Sequence, residues 1–488
     1  LTEENPNART EGWEIPNGMA FNLYEGFPDL DMQFNTKDVY FVTAPCWYKG
    51  VTYSDEYRRG FACKEDLYVP GHFETEMKPG DAVVFSASVD LTTPSGLKRK
   101  FDSYVAKAAK ITTYHEQLVH CADLLKQDRG GHKMITAGFS WLYTGLLRET
   151  LEALPGLTLY ATGDKAEFEE ILDNLISDNQ ERLFHKTTQV EAPLRLAYAL
   201  DRYIEFGADP KAVWKKYGTV IKGILESYLP GKRAEVAMQP NGLLWAQLDH
   251  WALSWMNTYV NGNPVTERAG YQVETNALWF QSILFAVTME RKYSTSDSAF
   301  INEWSHILDL VRANFQNTFW NARAGYLADY VDNAGQRLEV RPNMLYALVG
   351  EDIPVEPEVA QRVLQVIDNE LVTRRGIRTL SPRHPEYKGV YEGSQTDRDL
   401  AYYNGCCLPF LLGPYCEVCF KMKGPAFLNK AQWLVNGFYE DLNKHGVGAF
   451  SELYDGDPPH EPHGAISSAL STAALLEVEY LKDKYKEK

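Results

Sequence analysis

Apolar residues recur at helical spacing from Phe101 to the end of the chain, as expected for amphipathic helices. Capping residues, glycines and prolines divide this pattern into about twelve predicted helices. Their approximate ranges are 101–127, 146–161, 165–182, 191–206, 210–229, 271–291, 296–317, 341–349, 355–371, 398–420, 425–443 and 464–485. The pattern therefore predicts a mainly α protein.

The predicted helices alternate in polarity along the chain. Odd-numbered helices carry dense charge, as in Lys165–Glu170, whereas even-numbered helices are mainly apolar, as in Thr275–Phe280. A helix that is apolar nearly all round is buried, and one with a charged stripe faces solvent. We therefore expect the chain to pass alternately between an outer and an inner layer of helices.

The connections between these helices alternate in length as well. Those that leave the even-numbered helices have about 3–5 residues, whereas those that enter them have about 8–41, far above the usual length. Six inner and six outer helices closed into an α6/α6 toroid satisfy both alternations. The long loops would then surround one opening, at the N-termini of the inner helices, where sites are usually built. An open α-solenoid is the alternative, although no repeated motif supports it.

Residues 1–95 have a different pattern. β-branched and aromatic runs at Val39–Thr43 and Ala82–Val89 predict strands, and Lys78–Asp81 predicts a turn. We therefore predict two domains. The first is a smaller β-sandwich-like region over 1–95, which we interpret as the incomplete end of a longer N-terminal domain, and the second is the toroid over 96–488.

The amino-acid composition indicates which kinds of molecule the protein can bind. The 488 residues include 49 Lys and Arg against 66 Asp and Glu, a net charge of −17, which argues against a nucleic acid partner. An acidic surface is compatible with neutral sugars, and the 13% aromatic content suits a site that stacks rings. No run approaches the roughly 18 apolar residues of a membrane helix, so we expect no membrane partner.

The number and spacing of the cysteines indicate the cellular compartment of the protein. Seven cysteines in a chain of this length do not make a disulfide framework, and their odd number leaves at least one unpaired. We therefore expect a cytoplasmic protein. Cys416 and Cys419 form a CxxC pair that would suit zinc or redox chemistry, but their apolar surroundings favour a helix interior.

Two of the long loops combine aromatic and charged residues. The loop over about 230–270 contains Trp251 and Trp255, whose rings suit the apolar faces of pyranose sugars. Glu274, after this loop, is either a catalytic carboxylate or one favoured by the helix dipole. In the loop before the second predicted helix, Arg148 and Glu149 are either a sugar clamp or a helix-capping ion pair.

The last long loop, residues 446–464, brings the carboxylates of Glu452, Asp455 and Asp457 to the same opening. Their spacing lacks the alternate-residue pattern of a calcium loop. Hydrolysis of a glycosidic bond needs two carboxyl groups that face each other across the bond. One protonates the leaving oxygen, and the other activates water or acts as nucleophile. Glu452 is our candidate for the second role.

Together these motifs resemble a known family. In order and spacing, residues 100–485 are similar to the amylo-α-1,6-glucosidase domain of glycogen debranching enzymes, and the β region resembles the end of that family's N-terminal domain. The motifs that carry the resemblance are Ala137–Leu157, Ser254–Trp279, Arg341–Asn343, Tyr391–Gly393, Arg398–Asp399 and Ser451–Gly464, with Tyr68–Phe73 and Lys78–Gly80 in the β region. The resemblance independently implies an α6/α6 toroid.

The resemblance also implies an activity. It implies hydrolysis, with inversion, of the α-1,6-linked glucose left at a branch of an α-glucan such as glycogen or limit dextrin. We expect this reaction to need no cofactor and no metal. The resemblance assigns the general base to Glu452. The family's general acid falls on Asn257, the last residue of Ser254–Asn257, and an amide has no ionisable proton to donate.

Three explanations of Asn257 stay open. Either a nearby carboxylate (Asp249, Glu267 or Glu274) acts as the acid, or the protein binds glucan without cleaving it, or the asparagine is an engineered substitution. A helical toroid without any sugar site is a further alternative.

The residues of these loops and the resemblance together give a set of expected sugar-binding residues. Several positions depart from the family's pattern, among them Glu149, Glu191 and the Tyr402–Tyr403 pair, which indicates altered subsites. The residues expected to bind the sugar are Trp141, Arg148, Glu149, Glu191, Trp251, Trp255, Arg341, Arg398, Asp399, Tyr403 and Asp455.

Overall fold

Contacts along the chain separate two structural units. The computed structural model describes residues 3–58, 60–108, 110–139, 144–294 and 298–486. One unit is Leu1–Lys110 with Glu392–Ser394, and the other is Ile111–Tyr391 with Gln395–Lys488. The expected division into domains at 95/96 stays a prediction about independent folding, which contacts within one chain do not test.

The first unit is mainly β, in agreement with the strand-like pattern of its sequence. Its elements are β1 (Gly12–Ile15), β2 (Gly18–Phe21), β3 (Leu30–Phe34), β4 (Val39–Thr52), α1 (Ser54–Arg58), β5 (Lys64–Thr75), β6 (Phe85–Ser88) and α2 (Pro94–Lys107). An antiparallel sheet has the order β1-β2-β3-β6, and β4 pairs with β5 as a long hairpin. Phe73 of this hairpin packs against Phe41 and Phe34, with ring centroids 5.0 and 4.9 Å away.

The second unit is mainly helical, which confirms the predicted class. Its α-helices are α3 (Tyr114–Leu125), α4 (Leu147–Leu154), α5 (Lys165–Asp178), α6 (Gln180–Phe184), α7 (Arg195–Glu205), α8 (Pro210–Ser227), α9 (Val273–Tyr293), α10 (Ser298–Phe319), α11 (Pro357–Glu370), α12 (Gln395–Tyr402), α13 (Leu412–Lys423), α14 (Leu428–Asn436) and α15 (Ala469–Lys486). A π-helical turn, Pro155–Tyr160, extends α4, and Pro342–Leu348 forms a 3-10 helix.

Six of these segments contact each other in a cycle. In chain order, α4, α7, α9, Pro342–Leu348, α13 and α15 each pack against the next, and α15 packs against α4. The remaining long helices, α3, α5, α8, α10, α11 and α14, contact members of this cycle. The polarity of the sequence explains the arrangement, because α9 is buried on nearly every side whereas α5 keeps a charged face.

Short strands connect the helices of the second unit. They are β7 (Lys126–Asp128), β8 (Lys133–Ile135), β9 (Val236–Met238), β10 (Leu244–Ala246), β11 (Tyr259–Val260), β12 (Asn263–Pro264), β13 (Tyr271–Gln272), β14 (Trp320–Asn321), β15 (Tyr326–Leu327), β16 (Tyr330–Asp332), β17 (Gly335–Arg337), β18 (Val372–Thr373), β19 (Gly376–Arg378), β20 (Cys407–Leu408), β21 (Leu453–Tyr454) and β22 (Pro462–His463). One sheet has the order β18-β19-β20-β21-β22 and pairs Cys407 with Tyr454. This pairing places the last long loop beside the start of α13.

Two predicted helices are each divided in the structure. The predicted helix 101–127 consists of α2 and α3, because Thr113 caps α3 in a reciprocal pair with Glu116 and so begins a new helix. The predicted helix 398–420 consists of α12 and α13, with β20 between them. Pro409, which lacks a backbone N–H, follows β20 and prevents a continuous helix. In the described parts of the chain, no helix is both long and apolar enough to cross a bilayer.

Candidate active site

A cavity of about 340 Å³ lies at the N-termini of α4 and α15, where long connections enter the helices. Its wall includes Arg148, Glu149, Trp255, Asn257, Tyr403 and Glu452. These residues come from four separate stretches of the sequence. The cavity therefore unites the loops that the sequence pattern singled out.

Glu452 is a half-buried carboxylate in the wall of this cavity. The hydroxyl of Tyr402 donates a short hydrogen bond to its Oε1 atom, and the backbone N–H of Ala465 donates to Oε2 at 2.9 Å. The Glu452 backbone N–H in turn donates to the Ala465 carbonyl at 2.9 Å. Backbone and side chain are thus both fixed, which suits a group that must orient a water molecule.

Asn257 faces the same cavity and contacts the neighbouring tyrosine. The hydroxyl of Tyr403 donates to Asn257 Oδ1 at 3.3 Å. Burial raises the pKa of both Tyr402 and Tyr403 above the ordinary value, so both hydroxyls stay protonated donors. Two consecutive tyrosines therefore contact the two positions to which the family resemblance assigns the catalytic roles.

Arg341, expected to bind sugar, instead supports this tyrosine pair. Its Nη1 donates to the backbone carbonyls of Tyr403 and of Thr379, the latter at 3.1 Å, and its Nη2 donates to Asn404 Oδ1 at 2.8 Å. Arg341 is buried and is not part of the cavity wall. The structure places it behind the site, where it holds the end of α12 in position.

Trp255 forms a rigid face of the cavity. Its ring is 1% exposed and meets Tyr403 and Phe410 edge-on, with centroids 5.4 Å away in each case. Its indole N–H donates to Asn343 Oδ1 at 2.8 Å, which ties the ring to the Arg341–Asn343 motif. Trp251 is 45% exposed and lies outside the cavity wall. Trp141 lies outside the described residues.

Arg148 belongs to a buried cluster of charges beside the cavity. Its guanidinium lies 3.1 Å from Glu149, 3.2 Å from Glu152 and 4.0 Å from Glu191, and Arg195 lies 3.2 Å from Glu152. Burial alone would lower the pKa of Arg148, but the adjacent carboxylates raise it above the usual value. Glu149 and Arg148 reach the cavity wall, whereas Glu191 does not. The Arg148–Glu152 pair has the i, i+4 spacing from which sequence reasoning could have found Glu152.

Glu191, beside Arg148, has a strongly perturbed carboxyl group. It is fully buried, and neither carboxylate oxygen has a hydrogen-bond partner among the described residues. Burial raises its pKa to about 7, although Arg195 and Arg148 oppose this shift. The proton is therefore bound more tightly in the folded chain than in the unfolded chain.

We expect the Glu191→Gln variant to differ from the parent protein in the pH dependence of its stability. The stabilisation from the raised pKa of Glu191 is fully present below its unfolded value of 4.5 and is lost as the pH rises through about 7. The free energy of unfolding of Glu191→Gln relative to the parent should thus rise between pH 4.5 and 8, on the order of 3 kcal/mol at about 1.4 kcal/mol per pKa unit. Urea denaturation at several pH values measures this. Glu181→Gln, at an exposed position, should show no such rise; equal slopes for both variants would contradict the assignment.

Two further carboxylates, from other elements, lie in or next to the cavity wall. Asp399 lies in the cavity wall and accepts a hydrogen bond from the Gln395 side chain at 2.8 Å. Its neighbour Arg398 is buried and donates to Gln395 Oε1 at 3.0 Å, outside the wall. Asp455 also lies outside the wall, where it accepts the backbone N–H of Tyr391 at 2.7 Å. Tyr391 lines the cavity, so Asp455 contacts a wall residue without being part of the wall itself.

Glu274 lies at the start of α9, away from the cavity wall. Arg268 binds both of its carboxylate oxygens, at 2.7 Å for Oε2, and also binds Asp329 Oδ2 at 2.7 Å. All three groups are buried, which is the environment of a structural ion pair. The other two carboxylates considered near Asn257, Asp249 and Glu267, are exposed and lie outside the wall as well.

No metal-binding group of three or more His, Cys, Asp or Glu side chains occurs in the portion of the chain that the structure describes. The carboxylates of the cavity instead accept hydrogen bonds from protein donors. The arrangement offers an anchored carboxylate, an aromatic wall and hydrogen-bonding groups, which together can bind a sugar ring and activate water.

Comparison with known protein families agrees with the family resemblance of the sequence. The family described as Amylo-alpha-1,6-glucosidase matches residues 114–477, and the one described as Glycogen debranching enzyme N terminal matches residues 1–84. No curated protein sequence matches the chain.

Several solved structures share the fold at low sequence identity. A sialidase superposes with a TM-score of 0.51 at 12% identity over 75% of this chain, which spans only 33% of the sialidase. A GH63 mannosylglycerate hydrolase from Thermus thermophilus, in complex with Tris and D-glycerate, gives a TM-score of 0.50 at 12% identity over 75% of this chain and 99% of its own. An uncharacterized conserved protein from the same organism gives a TM-score of 0.51 at 12% identity, over 75% of this chain and 99% of its own.

The family match covers most of the chain, including every residue that we place in the cavity wall. The shared fold with a glycoside hydrolase agrees with it. The chain thus belongs to the amylo-alpha-1,6-glucosidase family of glycoside hydrolases.

Proposed function

We propose that this protein hydrolyses the α-1,6-linked glucose at branches of glycogen or limit dextrin, with inversion at the anomeric carbon. The observation that carries the proposal is the placement of Glu452. Its side chain is part of the cavity wall, and hydrogen bonds from Tyr402 and Ala465 hold both of its carboxylate oxygens. The same cavity contains Asn257, which Tyr403 contacts.

The scaffold proposed for this activity is an α6/α6 toroid. Its support is the closed cycle of contacts from α4 through α15 and back to α4, with the remaining long helices packed on that cycle. In such a ring the N-termini of the inner helices meet at one opening. The cavity lies at the N-termini of two of them. We also propose that the β-rich N-terminal unit folds as a separate domain.

In the proposed mechanism Glu452 takes a proton from a water molecule as that water attacks the anomeric carbon. Inverting enzymes place their two catalytic groups about 6.5–9.5 Å apart to leave room for this water. Arg148, Glu149 and Asp399 would bind the hydroxyls of the terminal glucose, and Trp255 would pack against its ring. Arg341 and Asp455 would act indirectly, through Tyr403 and Tyr391.

An alternative is a non-catalytic α-glucan-binding protein, and Asn257 favours it. The amide keeps the hydrogen bond to Tyr403 but has no proton to give to a leaving oxygen. The intact surroundings of Glu452 argue against the alternative, because binding alone does not require a carboxylate anchored at both oxygens.

Incubation of the purified protein with phosphorylase limit dextrin tests the proposal. We expect release of free glucose, first seen as the β-anomer by proton NMR, since inversion of an α-linkage gives the β product. Glucose released as the α-anomer would refute inversion. If no α-glucan yields glucose while binding is measurable by affinity electrophoresis in glycogen gels, the hydrolase proposal fails and the binding alternative remains.

The Tyr402→Phe variant should lose about 10- to 100-fold in kcat, since a hydrogen bond to a charged group is worth about 1.5–3 kcal/mol. The phenylalanine ring keeps the packing of Tyr402, so KM should stay near the parent value. Steady-state kinetics on 4-nitrophenyl α-glucoside measures both constants. Tyr439→Phe, at a half-exposed tyrosine outside the cavity wall, is the control. A rise in KM without a loss of kcat would show that Tyr402 binds sugar instead of positioning Glu452.

A further inference from the structure

The carboxyl groups of the cavity wall all accept hydrogen bonds from protein donors. Among the described lining residues, the carboxyl-bearing side chains are Glu149, Asp399 and Glu452. Arg148 donates to Glu149 at 3.1 Å, and Gln395 donates to Asp399 at 2.8 Å. Tyr402 and the Ala465 N–H donate to Glu452.

An oxygen that accepts a hydrogen bond from a protein donor is engaged with the protein and does not itself present a proton to a substrate. Glu149 has the guanidinium of Arg148 as its partner, and Glu452 receives a donor at each oxygen. A general acid must instead carry a proton that it can release to the substrate.

Among the described residues, the wall around position 257 lacks an acidic proton as well. Asn257 is an amide, and its Oδ1 accepts the hydroxyl of Tyr403. Burial raises the pKa of Tyr403 above its ordinary value, so this hydroxyl is an even poorer proton donor than a free tyrosine. The described cavity thus offers one anchored base and no poised acid.

We propose that this site acts efficiently on α-glucosides whose leaving group departs as a stable anion, such as aryl and acyl α-glucosides, and slowly on ordinary glucans. The proposal rests on the proposed glycosidase function and names the substrate class of the same site. Water attacks the anomeric carbon, and its proton passes to the Glu452 carboxylate. The bond from that carbon to the leaving oxygen breaks, and both electrons leave with the phenolate or carboxylate anion. Glu452 then returns its proton to solvent, so the products are glucose, the anion and one proton.

The acidity of the leaving group explains the selectivity. A phenol ionises near pH 10, so its anion can leave unaided, whereas water, and an alcohol like it, ionises near pH 15.7. An alkoxide expelled from a glucan therefore needs a proton during bond cleavage. The described wall has no group poised to supply it.

Hydrolysis of a series of aryl α-glucosides, with phenols of graded acidity, tests the inference. For the parent protein we expect kcat/KM to fall by about tenfold for each unit by which the phenol pKa rises, as for departure without proton transfer. In the Asn257→Asp variant, kcat/KM should depend only weakly on the phenol pKa, because the new carboxyl group can donate a proton to the leaving oxygen. The Glu452→Gln variant should lose activity on every substrate in the series.

The outcomes separate this inference from the proposed function. A shallow dependence in the parent protein, or turnover of limit dextrin as fast as of the most activated glucoside, would overturn the inference and leave the debranching proposal standing. Hydrolysis of aryl glucosides without any action on limit dextrin would support the inference and refute debranching. Failure to hydrolyse any substrate would refute both.

Discussion

Replacement of Glu452 by Gln should lower hydrolysis of every substrate by about 10²–10⁴-fold, the usual contribution of a general base. The amide keeps the size of the side chain and can still accept the hydroxyl of Tyr402 through its carbonyl oxygen. It cannot take a proton from water. The loss should therefore appear in kcat, with little change in KM, when initial rates are measured on 4-nitrophenyl α-glucoside.

The control for this prediction lies in the same loop. Glu461 is exposed and is not part of the cavity wall, so Glu461→Gln should retain the parent rate. Activity of Glu452→Gln within about threefold of the parent would remove Glu452 from the mechanism. The proposed function would then lose the observation on which it rests.

The second large expected effect is a gain of hydrolytic activity. Asn257→Asp should raise the rate of glucose release from limit dextrin by about 10²–10⁴-fold, because it supplies the missing general acid. Aspartate has nearly the shape of asparagine, and Tyr403 can donate to its carboxyl oxygen as it does to the amide. The gain should be largest for substrates with alcohol leaving groups, which need the proton most.

Asn263→Asp is a matched control, since Asn263 is exposed in the β11–β12 hairpin that follows Asn257. It adds the same charge outside the cavity wall and should leave the rate unchanged. If Asn257→Asp releases glucose no faster than the parent, position 257 does not face the scissile bond, and the assignment of the two catalytic positions is wrong.

Some of the site could be predicted from local sequence. The length and the carboxylates of the last long loop predict that it lies at the opening, and Glu452 of this loop is part of the cavity wall. Arg148 and Glu149 were predicted as a paired group, and their side chains lie 3.1 Å apart. These features depend on neighbours in the chain, so a local pattern suffices to find them.

Other residues show where a local pattern does not suffice. Glu274 and Arg341 have the residue types of a sugar site and occur in the expected motifs, yet Arg268 binds the first, and backbone carbonyls together with Asn404 bind the second. Asp249 and Glu267 are near Asn257 in sequence but are exposed outside the cavity, whereas Glu149 and Asp399 reach its wall from distant segments.

By itself the sequence determined the helical class, the alternation of buried and exposed helices and the long loops that contribute to the cavity wall, because hydrophobic periodicity and loop length are properties of consecutive residues. Only the tertiary structure decided which side chains meet. Tyr403 reaches Asn257 across 146 residues, and Tyr402 reaches Glu452 across 50. Such contacts depend on how whole helices pack, and no local pattern encodes the distance between two loops that the packing brings together.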